Sequence, residues 1–368
     1  MNQTQTHVMP FAPVVGEVSA VVVGMGGISN TMLKFLDQQP WYRTAAVVDI
    51  RPQALDTAKE KLGLAENALF TDLERALATV EADVVLINTP SELHYAQVRA
   101  ALNAGMHVLV AKPITNDFAQ AVELVELAES VRRSLCVGQQ MRYNRHYSSV
   151  RGYLATGALG SVEMVNFLNA KPRHKALNLA KMEQPALYEM SCHHFDSLMS
   201  LFPGQAPEWI MVDGFQPSWS VYAGPCTING LIHFSNPDGG KLHMLYHGGF
   251  SSQADLYELR LEGSQGALRC RGLHMSNDTM AYETAPRNGE WSPYDLDEGR
   301  PAISPWLPFF EHWRHYLAHG TLADGSKPPF SGRANLAVFA LLSAGIDSVT
   351  TGAPVTVAGN PRFAAAFG

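Results

Sequence analysis

Four groups of residues in this chain have types and spacings that could do chemistry. The loop Gly24-Met25-Gly26-Gly27-Ile28-Ser29 has the spacing of a turn that cradles phosphates. Asp49, 23 residues after Gly26, puts a carboxylate near the place where such a loop's ligand carries its ribose. Lys112 ends an apolar run and precedes Pro113. Glu189, His193 and Asp196 stand at i, i+4 and i+7, which on a helix is one face.

Each group suggests a task. Gly24 permits a tight turn, and Gly26 lets a backbone approach a pyrophosphate with no Cβ in the way. A helix opening there offers free N–H groups and the positive end of its dipole. Asp49 would accept hydrogen bonds from ribose hydroxyls and repel a 2′-phosphate, favouring NAD over NADP; Arg51, two residues on and past Ile50, keeps the phosphorylated cofactor open. Two carboxylates flanking an imidazole would raise its basicity and fix its orientation. Taken singly, Lys112 reads first as a solvated surface lysine and His193 first as a satisfied core histidine. Cys192 lies one residue off the shared face and is rejected as a nucleophile. No further His, Cys or Asp cluster at suitable spacing supports a metal site.

The elements that must position these residues follow from hydrophobic patterning. Val18 to Val23 reads as a buried strand, with a helix starting directly after the glycines. Strand signals recur at 44–49, 82–87, 106–110 and 135–138, with helices at 52–62, 92–104 and 118–132 between them. That alternation implies right-handed βαβ crossovers and a parallel sheet. Lys112 then sits at the carboxyl end of a parallel strand, where open α/β sheets bind ligands. Past Arg145 and a helix at 147–156, longer β-like runs appear at 162–168, 209–215, 227–234, 241–249, 256–262 and 267–271; helical spacing returns at 306–317 and 333–349. The expected fold class is α/β: residues 1–140 as a Rossmann domain, and 141–368 as an α+β domain with a large, open, mostly antiparallel sheet. C-terminal helices are expected to pack back on the first.

The balance of 34 acidic against 27 basic residues, net charge -7, excludes a nucleic-acid footprint, and no dense Lys/Arg stripe offsets it. Cys136, Cys192, Cys226 and Cys270 are too scattered for a disulfide framework or a structural zinc site. The first fifteen residues lack the pattern of a signal peptide, and no apolar run near them would span a membrane. A cytoplasmic protein that uses no membrane is the expectation.

The run Asn88-Thr89-Pro90-Ser91-Glu92-Leu93-His94, then Ala101-Leu102-Asn103-Ala104-Gly105-Met106-His107-Val108-Leu109, then Lys112-Pro113, resembles the glucose–fructose oxidoreductase / inositol dehydrogenase / MocA family. The likeness extends through Val137 to Arg142, Gly157 to Val162 and Gly352 to Val355. The resemblance implies that Lys112 lies by the nicotinamide and the reacting hydroxyl, and that Thr89, Pro90 and His94 line the cofactor pocket. It matches Glu189-Met190-Ser191-Cys192-His193-His194-Phe195-Asp196 to the family's catalytic segment, with Glu189 where Asp is usual and Ser191 where Gly is common. Ala111 replaces the family's usual Glu before the lysine. Arg142, Tyr143, Arg173, His193, His194 and Asp196, with Lys112, are the expected substrate contacts; Lys171, Arg173 and His174 form a polar cluster reaching the substrate from a loop.

The resemblance implies an NAD(P)-dependent dehydrogenase acting on a secondary alcohol of a sugar, cyclitol or related polyol. His193 is the expected general base, oriented by Glu189, and Lys112 the group that steadies the developing alkoxide. The rivals are an NAD-dependent glycosidase of the same family, acting by transient oxidation and elimination, and a non-catalytic dinucleotide-binding protein. A homodimer or homotetramer through the C-terminal sheet is expected, because an open sheet must cover its apolar side.

Overall fold

Every residue of Val18–Val23 (β1) is buried, as a strand covered on both faces requires. The computed structural model, which describes residues 9–175, 179–235, 239–273, 280–299 and 301–367, continues from β1 through a regular alternation. Helix α1 (Gly27–Leu36) leads to β2 (Tyr42–Val48), α2 (Pro52–Leu62), β3 (Leu69–Phe70) and α3 (Leu73–Thr79). Then come β4 (Val84–Ile87), α4 (His94–Asn103), β5 (His107–Val110), α5 (Phe118–Ser130) and β6 (Leu135–Val137). The strands form one parallel six-stranded sheet in the order β3-β2-β1-β4-β5-β6. The expected Rossmann architecture is observed. Strand order reverses beside β1, and the carboxyl ends of β1 and β4 flank the crevice where such sheets take ligands. Local chemistry sets the helix ends: Asp72 and Asp117 cap α3 and α5 by accepting the amides of Arg75 and Gln120. Gly63 closes α2 in the left-handed region.

The second sheet has nine strands. After α6 (Arg145–Ala155) and β7 (Val162–Pro172), a π-helical turn, Leu187–Ser191, runs directly into α7 (Cys192–Met199). There follow β8 (Ala206–Phe215), β9 (Thr227–Ser235), β10 (Lys241–Gly249), β11 (Ser251–Gly263), β12 (Gly266–Gly272), β13 (Ala281–Pro286), β14 (Ser292–Pro293) and, near the C-terminus, β15 (Val355–Thr356). The order is β14-β13-β12-β11-β7-β10-β9-β8-β15, antiparallel except where β7 lies parallel to β10. Along β7 the side chains of Val165, Phe167, Asn169 and Lys171 alternate onto one face. That face packs under α7: Phe167 stacks on Tyr246 with centroids 5.8 Å apart, and both rings touch His194.

Contacts divide the chain into Met1–Gln139 with Trp306–Leu336, and Gln140–Pro305 with Ala337–Gly368. Residues 306–336 thus group with the first unit. The segment carrying α8 (Trp306–His319) joins the first unit by backbone pairing and ring packing. Val14 N–H donates to the Leu317 carbonyl at 2.9 Å, Val137 N–H to that of Phe330 at 2.8 Å, and Trp313 meets Trp41 at 6.4 Å. Helix α9 (Gly332–Thr351) is the one helix among the described residues long and apolar enough to cross a membrane, and 61% of its apolar window is buried.

Candidate functional site

In the first unit the glycine loop is built for a bound anion. Gly24 has φ +86°, and a Cβ there would meet the Asn88 carbonyl at 2.9 Å, so only glycine fits. Gly26 is the N-cap of α1 with no side-chain cap, and a Cβ on Gly26 or Gly27 would meet nothing within 4 Å. Unclaimed N–H groups of the first turn therefore face open space, the arrangement that receives a phosphate. Ser29 is fully buried; its hydroxyl donates to the Gly24 carbonyl and accepts from Asn88 Nδ2 at 2.9 Å. It is thus a tie between loop and β4, beyond the small spacer its position suggests. Met25 is buried and Ile28 exposed. These residues fit a dinucleotide pyrophosphate.

Asp49 follows β2, where the dinucleotide reading needs an acid, but its carboxylate is occupied. Oδ2 accepts Met25 N–H at 2.8 Å and Arg51 Nη2 at 2.9 Å; Oδ1 accepts Arg51 N–H at 2.9 Å and Arg51 Nε at 3.0 Å. Burial pushes this carboxyl up, yet the hydrogen bonds from Arg51 and the Met25 amide outweigh it and hold the group below its ordinary value. The Arg51 side chain is mostly exposed and Ile50 still more so.

Thr89 and Lys112 are half-buried and Pro90 is exposed. His94 departs from the expectation that it lines a cofactor pocket. Its ring is buried, with Nδ1 2.8 Å from the Pro113 carbonyl and Nε2 2.9 Å from the Thr89 carbonyl. It bridges the segments following β4 and β5, and the second of these carries Lys112, whose peptide bond to Pro113 is cis.

In the second unit the helical segment beginning at Leu187 carries Glu189, His193 and Asp196, but the expected shared face is broken. The π turn inserts one more residue per turn than an α-helix, and Ser191 fills the widened turn by donating to the Ala186 carbonyl at 3.2 Å. Glu189 and His193 remain half-buried, with Tyr143 likewise, while Asp196 is wholly buried. Its carboxylate receives both Nε, at 2.8 Å, and Nη2 of buried Arg142. The Asp196 carboxylate is thus taken up by Arg142, and both groups are buried. Arg142 in turn lies against Arg151, which donates to its carbonyl at 2.9 Å. Burial first, and the Arg142 charge second, pull Arg151 down to about 10.

His194 is also withdrawn from the expected substrate set. Its Nε2 accepts from Asn169 Nδ2 at 2.7 Å, and its Nδ1 donates to Tyr246 Oη at 2.7 Å; the Tyr246 hydroxyl then donates to Ser191 Oγ at 2.6 Å. Each donor is used once along this chain. Burial, and then the charges of Lys171 and His247, drive the imidazole well below its ordinary value, so it is neutral. Asn169 and Tyr246 carry no sequence signal for this role, since each reads as one more strand residue. Lys171 and Arg173 are half-buried at the end of β7, and His174 donates from Nε2 to the Ser252 carbonyl at 3.0 Å. Among the described residues no group of three or more His, Cys, Asp or Glu is arranged to hold a metal ion.

Comparison with known proteins places these units. The profile described as "Oxidoreductase family, NAD-binding Rossmann fold" matches residues 18–139, and that described as "Oxidoreductase family, C-terminal alpha/beta domain" matches 151–357. The uncharacterized protein y4oX of Sinorhizobium fredii is 28% identical over 359 residues, covering 91% of this chain and 94% of its own. Myo-inositol 2-dehydrogenase of Thermotoga maritima is 25% identical over 52% of this chain and 57% of its own length, about half of each. An inositol dehydrogenase homologue from Azotobacter vinelandii, solved with NADH and myo-inositol, superposes with a TM-score of 0.77 at 17% identity over 95% of this chain and all of that one. That last likeness is one of fold.

Proposed function

Because the chain belongs to the Gfo/Idh/MocA oxidoreductase family, with an NAD-binding Rossmann domain at its N-terminal end, we propose that it oxidises a secondary alcohol of a sugar, cyclitol or related polyol. The observation that carries this reading lies on the segment 187–199. Of its carboxylate and imidazole side chains, Glu189 and His193 stay partly open, while His194 and Asp196 are buried in structural bonds. The segment therefore offers one open carboxylate and one open imidazole.

The nicotinamide dinucleotide supplies the two-electron acceptor. The loop Gly24–Ser29 holds its pyrophosphate, and Asp49 reads its ribose hydroxyls, which favours NAD over NADP. His193 takes the proton of the substrate hydroxyl as general base, with Glu189 orienting it. Lys112, from the first unit, steadies the oxygen as negative charge develops there. Tyr143 contributes to substrate orientation.

The same reading takes the chain to be a cytoplasmic homodimer or homotetramer. Met211, Leu231 and Leu245 are exposed and in register across β8, β9 and β10, an apolar row that a second copy would cover. The four cysteines form no disulfide among the described residues.

The test is turnover of a panel of polyols with NAD and with NADP, followed at the absorbance of the reduced cofactor. Lys112→Ala and His193→Ala should each lower turnover about 100- to 10,000-fold while leaving NADH binding within a few-fold. Near-normal turnover in both variants sinks the assignment. Release of sugar without accumulation of reduced cofactor identifies the glycosidase instead.

A further inference from the structure

Two cations at the end of β7 have no role in the chemistry above. Lys171 is the last inward-facing residue of the row Phe167, Asn169, Lys171, and Asn169 in that row is bonded to His194. Its ammonium thus emerges on the face that packs under α7, close enough for its charge to act on His194, the neighbour of His193. Arg173 follows two residues later. Its backbone is pinned by Phe250 and Tyr222, its N–H donating to the Phe250 carbonyl at 2.9 Å and its carbonyl accepting from Tyr222 Oη at 2.8 Å. Its guanidinium lies over the Phe250 ring, 4.9 Å from the centroid.

Among the described residues neither cation has a carboxylate within ion-pair distance. This is costly for two like charges held together and partly shielded from water. Burial, and then the Arg173 charge, pull Lys171 below its ordinary value, and only exposed Asp255 pulls the other way. The floor is apolar, since Leu179, Met190, Tyr222, Cys226 and Phe250 pack into one buried cluster beneath it. An ammonium and a planar guanidinium over an apolar floor suit an anionic oxygen group joined to a carbon skeleton.

We propose that Lys171 and Arg173 form an anion subsite beside Glu189 and His193, so that the substrate is a polyol carrying a carboxylate or phosphate group rather than a neutral sugar. This rests on the dehydrogenase reading and narrows its substrate class. A charge-assisted hydrogen bond to a substrate anion is worth about ten- to a hundredfold in affinity.

The experiment uses the full chain with matched trios: D-glucose, D-glucuronate and D-glucose 6-phosphate, and the galacto and manno counterparts. Two readouts run in parallel, cofactor reduction and the shift in melting temperature caused by each compound. The expected result is that the acidic member of at least one trio exceeds its neutral parent about tenfold or more in kcat/KM or in binding. Uronate against phosphate ester tells which anion is meant. In Lys171→Met and Arg173→Met that ratio should fall about tenfold through KM, while Lys171→Arg, which keeps a cation, should retain most of it. Circular dichroism confirms that each variant is folded. Neutral members equal to or better than acidic ones in every trio, or a ratio that survives in the double Met variant, overturns the subsite. Reduction of NAD by neutral sugars alone would do so while leaving the dehydrogenase reading intact. Acid-selective binding with no cofactor reduction by any compound would keep the subsite and remove the dehydrogenase reading.

Discussion

The guanidinium of Arg51 lies across the carboxylate of Asp49 in a two-point pair, Nε to Oδ1 at 3.0 Å and Nη2 to Oδ2 at 2.9 Å. With the Met25 and Arg51 amides, this uses all the strong acceptor positions on Asp49. On the proposed reading of Asp49, cofactor choice is a competition for one carboxylate. Arg51→Ala should free Asp49 for ribose hydroxyls and also remove the cation best placed to meet a 2′-phosphate. NADH should bind as well as or better than in the parent, and NADPH about tenfold worse. Asp49→Ala should do the reverse. Fluorescence titration with both reduced cofactors measures the ratio, and a ratio unmoved by either change means that these residues do not read the ribose.

The Arg142–Asp196 pair gives a prediction of a different kind. Both groups are buried, so removing one strands a charge in the core. Asp196→Ala should cost about 3–5 kcal/mol in urea unfolding, and Arg142→Met/Asp196→Leu should recover much of that loss. Had Asp196 acted on the substrate through His193, the double variant would regain stability without activity. With a structural role, stability and turnover return together.

The first unit was legible because each of its signals is local. A β-branched strand, a glycine loop, a helix and an acid follow one another in the chain, and the sheet holds them in that sequence. The second unit was less so. Spacing at i, i+4 and i+7 assumes a uniform α-helix from Glu189 to Asp196, and the π turn at Leu187–Ser191 breaks that assumption. Which acid Arg142 would take was undecidable from spacing, because Arg142 and Asp196 are brought together only by tertiary packing. Nor does local pattern show that β7 pairs parallel to β10. The alternation Val165, Phe167, Asn169, Lys171 was available, and it would have placed Lys171 on a strand's inner face rather than in a loop.

Acid should unfold this protein through buried neutral histidines. Burial is the main cause that pulls His107 down to about 4 and His146 to about 3, with nearby arginines adding to it. An unfolded histidine titrates near 6.5. Between that value and the folded one, the unfolded chain binds a proton that the native state refuses, so stability falls as pH drops from about 6.5 toward 3. Each group contributes on the order of 3 kcal/mol over that window. Urea midpoints from pH 7.5 to 4 should decline steadily, and His146→Gln should be weaker at pH 7.5 yet decline less steeply. An unchanged slope in that variant would assign the acid sensitivity to other groups.

Gly24 and Gly26 separate folding from binding within a single loop. At Gly24 the backbone is left-handed and a Cβ would press on the Asn88 carbonyl, so Gly24→Ala should cost about 1–2 kcal/mol for the backbone conformation alone, before any cofactor is present. At Gly26 φ is -87° and the space a Cβ would enter is empty. Gly26→Ala should therefore change the melting temperature of the cofactor-free protein little. The added methyl would stand where the pyrophosphate must approach the backbone, and NADH affinity should fall about tenfold or more. A Gly26→Ala protein that melts early, or one that binds NADH normally, would show that the open space over α1 is not where the phosphates sit.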